Sequence, residues 1–219
     1  DRRQRQMCIR DSADTCEIND IRPLLETQIR YNTRISEEGL RGDYGANIGS
    51  TMLKFYGEDV RNRAIAKAAA GSDARMSGCE LPVVINSGSG NQGITATMPV
   101  VAAAHWLDID EPTMLRAVTL SNLIAIRIKS KFGRLSNLCG ATVAGTGAAC
   151  GITYLLGGGY HEICCAIQNM VGNVTGMVCD GAKASCAAKI ASSVDAALLG
   201  YNMYKCHQEF KGGDGIVMK

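Results

Sequence analysis

The fold is decided by one stretch of the chain, DEPTMLRAVTLSNLIAIRIKSKF at residues 110–132. Asp110 is a typical helix N-cap residue, and Glu111 and Pro112 suit the first turn of a helix. Between residues 114 and 128 the sequence is apolar on nearly every side of a helix, which indicates an element surrounded by other protein. We therefore predict a central helix here, with the rest of the chain packed around it.

Most of the remaining sequence also carries helical patterns, with apolar residues spaced three and four apart. One helix starts near residue 19 and ends at Gly39 or Gly42, and another is expected to end at Gly71 because glycine often follows a helix. The further predicted helices lie at residues 48–56, 59–70, 94–106, 139–156, 163–171 and 186–204.

Residues 71–93 differ from this pattern, since they hold five glycines and a four-residue apolar core. They indicate a short extended segment, Leu81 to Asn86, followed by a tight glycine loop. The predicted fold class is therefore mainly α: a single helical domain with a short extended segment and a Gly-rich loop.

We interpret the two ends of the chain separately from this domain. The first eleven residues, DRRQRQMCIRD, are polar and lack periodicity, so we interpret residues 1–11 as a non-native tail and give Cys8 no weight. The last residues, KGGDGIVMK, stop within a pattern. We expect residues 12–219 to form one domain that is truncated at both ends.

The charge balance bears on the kind of partner that the chain binds. The 219 residues include 23 Lys and Arg against 21 Asp and Glu, a formal net charge of +2. This balance provides no electrostatic footprint for nucleic acid or an anionic membrane. No apolar run reaches the roughly 18 residues that a membrane span needs, and no secretory signal is visible. We expect a cytoplasmic protein with a small-molecule substrate, and homo-oligomerisation is left open.

Ten cysteines are many for such a chain. Without a secretory signal, disulfides are disfavoured. Cys139 lies at a predicted helix start, and Cys179 and Cys186 bracket a loop of small residues. Thiolates at helix starts have a lowered pKa and bind soft metals. Buried thiols remain the alternative, and the lack of a CxxC pair disfavours a zinc ribbon or a ferredoxin-type cluster.

The glycine loop NSGSGNQG, Asn86 to Gly93, alternates glycine with hydroxyl and amide side chains. Such a loop exposes backbone N–H groups that bind an anion, and a following helix N-terminus adds positive potential. It lacks the GxxxxGK[ST] pattern of a nucleotide loop, and an ordinary surface turn is the alternative. The predicted substrate contacts are Ser87, Gly88, Ser89, Gly90 and Asn91.

Other polar and sulfur-bearing residues are weaker candidates. Gln92 and Lys183 could contact a substrate or balance the charge of a metal centre. The three histidines qualify as bases by residue type alone. Cys164 and Cys165 point about 100° apart on one apolar helix, so we interpret them as packing residues. The remaining weak candidates are His105, His161 and His207 as bases, Cys150 for packing, and Cys79 beside the loop.

Three segments together resemble a known family. They are GCELPVVINSGSGNQG at 78–93, NLCGATVAG at 137–145 and GNVTGMVCDGAKASCAAK at 172–189. They resemble the L-cysteine desulfidase family, also described as iron–sulfur serine dehydratase alpha-chain-like, and the resemblance runs from about residue 21 to 217. It implies a [4Fe–4S] cluster held by Cys139, Cys179 and Cys186, and a substrate site at the glycine loop.

The resemblance also implies an activity, the β-elimination of L-cysteine to pyruvate, ammonia and hydrogen sulfide. An iron without a protein ligand would act as a Lewis acid on the leaving group, and a general base would remove the α-proton. The alternatives are an L-serine ammonia-lyase, a non-catalytic cluster-binding subunit and a metal-free helical protein. The Gly-Cys-Thr-Glu-Pro-like segment expected to hold the base is not found, and Cys16 in DTCEIND does not match it. The catalytic base is therefore unassigned.

Overall fold

The computed structural model describes residues 2–133 and 136–218, with side chains from residue 9 onwards. In this part of the chain the secondary structure consists of helices and two isolated bridges, which confirms the mainly α prediction. None of these helices is both long and apolar enough to cross a bilayer. The helices are α1 Arg2–Thr15, α2 Ile18–Arg41, α3 Ile48–Tyr56, α4 Val60–Met76, α5 Gly90–Trp106, α6 Glu111–Phe132, α7 Gly140–Leu155, α8 Tyr160–Asn173 and α9 Ser185–Lys205.

The centre of the domain is α5 rather than α6, which corrects the sequence prediction. Every residue of α5 from 90 to 104 is buried, and the helix packs against α2, α4, α6, α7 and α9. Ile126 of α6 is 49% exposed, so that helix has a solvent-facing side. The small Ala, Gly and Thr residues of α5 let neighbouring helices approach from all sides, whereas the larger residues of α6 cover one side of the core.

Two predicted helix ends are wrong, each for a local reason. Helix α4 continues through Gly71 to Met76. A Cβ at Gly71 would lie 2.7 Å from Oγ of Ser36, so this glycine permits close packing against α2. Helix α5 starts at Gly90 rather than at residue 94, because Ser89 is its N-cap and the Ser89 Oγ accepts from the N–H of Gln92.

Helix α1 covers residues 2–11 of the predicted tail and continues to Thr15. Ala13 near its end is fully buried, and Arg116 of α6 donates a hydrogen bond to the carbonyl oxygen of Ala13 at 2.7 Å. The side chain of Cys8 lies outside the description. The non-native origin of residues 1–11 stays a prediction.

We expect Gly147→Ala to lower the free energy of unfolding. A Cβ at this position of α7 would lie 2.4 Å from the backbone oxygen of Ser121 on α6. Overpacking costs about 1–3 kcal/mol, which exceeds the about 1 kcal/mol that alanine gains over glycine in a helix. Urea unfolding measures the difference. Gly176→Ala is the matched control, because its Cβ meets nothing within 4 Å; equal midpoints for the two variants would contradict the expectation.

Candidate metal centre

A pocket of about 330 Å³ lies where the N-terminal ends of α5, α7 and α9 meet. Its lining brings together Cys139, Cys179 and Cys186 with Gly88, Ser89 and Asn91 of the glycine loop. The partial positive charges of three helix N-termini therefore face one space. Such a space favours anionic groups, including thiolates and a carboxylate.

Cys139 and Cys179 become neighbours through a short antiparallel bridge between two loops. The bridge pairs Leu138 with Val178. The N–H of Cys139 donates to the Met177 carbonyl at 3.0 Å, and the N–H of Cys179 donates to the Asn137 carbonyl at 2.8 Å. Two cysteines that are 40 residues apart in the sequence are thus held at one edge of the pocket by backbone hydrogen bonds.

Met177 holds this bridge against two helices. Its sulfur accepts a hydrogen bond from Oγ1 of Thr142 on α7 and another from Oγ of Ser193 on α9, each at 3.7 Å. The loop that carries Cys179 is therefore attached to the same helices whose first residues carry or flank the other two cysteines.

Helix starts position Cys139 and Cys186. Cys139 is the N-cap residue of α7, as predicted, and Cys186 lies in the first turn of α9. The Cys186 N–H donates to the Lys183 carbonyl at 2.9 Å, and its thiol donates to the Gly181 carbonyl at 3.5 Å. Gly181 has a φ of 98°, a conformation that glycine adopts without strain, and this lets the loop turn into the helix.

The three thiols are close enough to influence one another electrostatically. Burial raises the pKa of the Cys139 thiol, and the nearby Cys179 and Cys186 thiols raise it further, while the Ala141 N–H and Lys189 lower it. A bound cation would reverse this balance, because a coordinating metal stabilises thiolates directly.

Lys189 of α9 fastens the Cys179 loop from the other side. Its ammonium group forms a salt bridge with Asp180 and donates to the Val178 carbonyl at 3.2 Å. The hydrogen bond with Asp180 is the main cause that raises the pKa of Lys189. Lys189 thus places a positive charge beside the thiols without lining the pocket.

The donor set fits an iron–sulfur cluster. Its three sulfur ligands are soft donors, the type that holds such clusters. All three cysteines line one pocket, and no histidine or carboxylate is among the described residues that line it.

The glycine loop contributes only part of its predicted contacts to this pocket. Gly88, Ser89 and Asn91 line it. Ser87 instead lines an adjoining pocket, and its hydroxyl donates to Oδ1 of Asn86 at 2.8 Å. Gly90 is buried, and a Cβ there would lie 2.3 Å from Nε of Arg75.

Of the weaker candidates, some line the pocket and others lie outside it. Gln92 lines the pocket, and its buried Oε1 has no hydrogen-bond partner among the described residues. Lys183 is exposed and does not line the pocket. His105 and His207 are also exposed and stand outside it. The described part of the pocket therefore holds an amide with an unused acceptor but no histidine.

Two positively charged side chains in the pocket were not predicted from the sequence. Lys129 of α6 is 7% exposed, lines both pockets, and has no hydrogen-bond or salt-bridge partner among the described residues. It follows the buried residues Ser121 and Ala125 at four-residue spacing, a helical signal that places Lys129 on the buried face. Arg75 of α4 lines the pocket and donates to Oδ1 of Asn91 at 3.3 Å.

The fold and the pocket define a helical protein in which three cysteines and the start of α5 line one pocket. The chain matches the model of the serine dehydratase alpha chain family over residues 2–219, and it belongs to this family. This confirms the resemblance seen in the sequence. The family is generally associated with iron–sulfur cofactors.

The curated relatives are proteins of about twice the length. A UPF0597 protein of Desulfitobacterium hafniense is 58% identical over 94% of this chain and 48% of its own length. A UPF0597 protein of Lachnoclostridium phytofermentans is 56% identical over 95% of this chain and 50% of its own, and one of Fusobacterium nucleatum is 48% identical over the same shares. The chain spans about half the length of the relatives it matches. No solved structure matches it significantly.

Proposed function

We propose that the protein to which this chain belongs is an iron–sulfur lyase that converts L-cysteine to pyruvate, ammonia and hydrogen sulfide. The observation that carries the proposal is the shared pocket, in which Cys139, Cys179 and Cys186 face the glycine loop at converging helix starts. Family membership supports the lyase class. The choice of cysteine as the substrate rests on the resemblance of the three sequence segments.

Cys139, Cys179 and Cys186 would hold a [4Fe–4S] cluster as its three protein ligands. When bound, such a cluster supplies an iron without a protein ligand, which can polarise the leaving group of the substrate as a Lewis acid. The chain's own contribution is to present three thiolates from two loops and a helix start. The Leu138–Val178 bridge and the Lys189–Asp180 salt bridge hold those loops in place.

The substrate carboxylate would bind at the N-terminal end of α5. Backbone N–H groups in the first turn of a helix are not all used within the helix, and the helix dipole favours an anion there. Ser89 and Asn91 line the pocket at this end, and Lys129 and Arg75 add two positive charges to its wall. Arg75 also orients the Asn91 side chain through its hydrogen bond at 3.3 Å.

The proposal assigns the general base to none of the described residues that line the pocket. The titratable side chains that line this part of the pocket are Arg75, Lys129 and the three thiols. The thiols are assigned to the cluster and the two cations to the substrate carboxylate. The described lining therefore offers no carboxylate or imidazole to accept the α-proton.

We expect the complete protein, purified and reconstituted anaerobically with iron and sulfide, to release equimolar pyruvate and sulfide from L-cysteine. Colorimetric sulfide and coupled pyruvate assays, after desalting, measure the two products. Pyruvate from L-serine without sulfide from L-cysteine would make the protein a serine ammonia-lyase. A full cluster without turnover of either amino acid would overturn the lyase proposal and leave a cluster-binding subunit.

A further inference from the structure

A second group of metal-binding side chains lies between α8 and the segment after α9. Cys165 Sγ lies 3.6 Å from Nε2 of His161 and donates to Oε2 of Glu209 at 2.6 Å. The three ligand atoms all lie within 4.8 Å of one another. None of the three residues lines the cysteine pocket described above, so they do not belong to the proposed cluster site.

The scaffold holds these side chains in place on both sides. His161 and Cys165 are four residues apart on α8, which puts them on the same face of the helix. Three contacts attach the segment that carries Glu209 to α8. Asn169 Oδ1 accepts from the Phe210 N–H at 3.0 Å, Gln168 Nε2 donates to the Phe210 carbonyl at 3.3 Å, and the Phe210 ring lies against Gly172. Glu209 is therefore held beside the thiol by its neighbours in the sequence.

The His161 ring is also oriented by its surroundings. It meets Tyr204 of α9 edge to face, with the ring centroids 6.2 Å apart. The Tyr204 hydroxyl donates to Oε1 of Glu162 at 2.6 Å, so the tyrosine is itself fixed. Outer contacts of this kind orient the ligands of metal sites.

We propose that His161, Cys165 and Glu209 bind a divalent transition metal of the zinc type and thereby join the segment after α9 to α8. Imidazole, thiolate and carboxylate are the three ligand classes of protein zinc sites. A tetrahedral zinc site separates its sulfur and nitrogen ligands by roughly 3.5 Å, given Zn–S and Zn–N bonds of about 2.3 and 2.0 Å. The observed 3.6 Å between Cys165 Sγ and His161 Nε2 agrees with this separation, and the 2.6 Å between Cys165 Sγ and Glu209 Oε2 would lengthen to a similar value when the ion replaces the shared proton.

The charges of the three ligands balance those of the ion. One thiolate and one carboxylate neutralise a divalent cation, and a neutral imidazole completes the set. The metal replaces the proton that Cys165 donates to Glu209, and this proton leaves to solvent, so the step involves no oxidation or reduction. His161 is exposed, so the fourth coordination position is open to water.

Cobalt(II) binding tests the site, since this ion reports thiolate ligation by charge-transfer absorbance and tetrahedral geometry by its visible bands. The complete protein is used with Cys139, Cys179 and Cys186 replaced by serine, so that the pocket thiols do not contribute. We expect this background to bind cobalt with a thiolate band that zinc removes by competition. Cys165→Ser should abolish the band, and His161→Gln and Glu209→Gln should weaken cobalt affinity by about tenfold or more.

The controls separate loss of a ligand from loss of the fold. Cys164→Ser changes the adjacent thiol on the same helix and should leave the cobalt band unchanged. His161→Gln replaces an exposed side chain and should keep the helical circular dichroism of the background, so its weakened binding is not explained by unfolding. A background without a thiolate band, or with a band that survives Cys165→Ser, would overturn the proposal. Unchanged affinity in both His161→Gln and Glu209→Gln would also overturn it.

Discussion

Replacing Cys139, Cys179 or Cys186 by serine, one at a time, is expected to remove most of the cluster from the anaerobically reconstituted protein. Each variant leaves two thiolates for a body that needs at least three protein ligands in this pocket. Loss of an outer-shell partner already costs metal sites about 10–100-fold in affinity, and loss of a direct ligand should cost more. Iron and acid-labile sulfide per chain, with the visible charge-transfer absorbance, measure the effect.

Cys179→Ser is the most informative of the three variants, because Cys179 is exposed and its replacement should not disturb the core. Cys139 is buried, so its variant needs a folding check by circular dichroism. Cys206→Ser is the matched control, since Cys206 is also exposed and does not line the pocket. Full clusters in all three pocket variants would contradict the ligand assignment.

The helical class of the fold could be predicted from the sequence because apolar spacing reports it locally. The helix ends that were predicted wrongly are set by residues whose role depends on the three-dimensional structure. Gly71 suggests a helix end, yet it lies within α4 because Ser36 of α2 and Ile94 of α5 approach it closely. Ser89 caps α5 five residues before the apolar pattern begins at residue 94. A single sequence gives no sign of which neighbour a glycine accommodates.

The candidate site, like the fold, could be predicted only in part. The three cysteines could be selected because thiols have recognisable chemistry and because the segments around them resemble a family. The pairing that joins Cys139 to Cys179 depends on backbone hydrogen bonds between loops far apart in the chain, which no local pattern predicts. Glu209 lies 44 residues after Cys165, so its contact with the thiol could not be predicted from the sequence either. Both contacts become apparent only in the folded structure.

The positive charge of Lys129 bears on the proposed binding of the substrate carboxylate. Lys129 is 7% exposed, and its ammonium group has no hydrogen-bond or salt-bridge partner among the described residues. The ammonium group faces the space that the thiols and the α5 start share, where a substrate carboxylate would compensate it.

Lys129→Met is therefore expected to raise KM for L-cysteine while leaving the melting temperature unchanged. Methionine fills a similar volume without a charge, and the substitution breaks no hydrogen bond or salt bridge among the described residues. Loss of a charge-assisted hydrogen bond, worth about 1.5–3 kcal/mol, corresponds to about a 10- to 150-fold rise in KM, at about 1.36 kcal/mol per factor of ten. Steady-state kinetics of the reconstituted complete protein and thermal unfolding measure the two effects.

Lys131→Met is the matched control for this prediction, because Lys131 lies on the same helix and is exposed. It should change neither KM nor the melting temperature appreciably. A Lys129→Met protein with unchanged KM would exclude this residue from carboxylate binding. A variant with a lower melting temperature and less iron per chain would instead mean that Lys129 supports the fold or the cluster. Because the prediction pairs weaker substrate binding with undiminished stability, a purely structural lysine cannot produce the expected result.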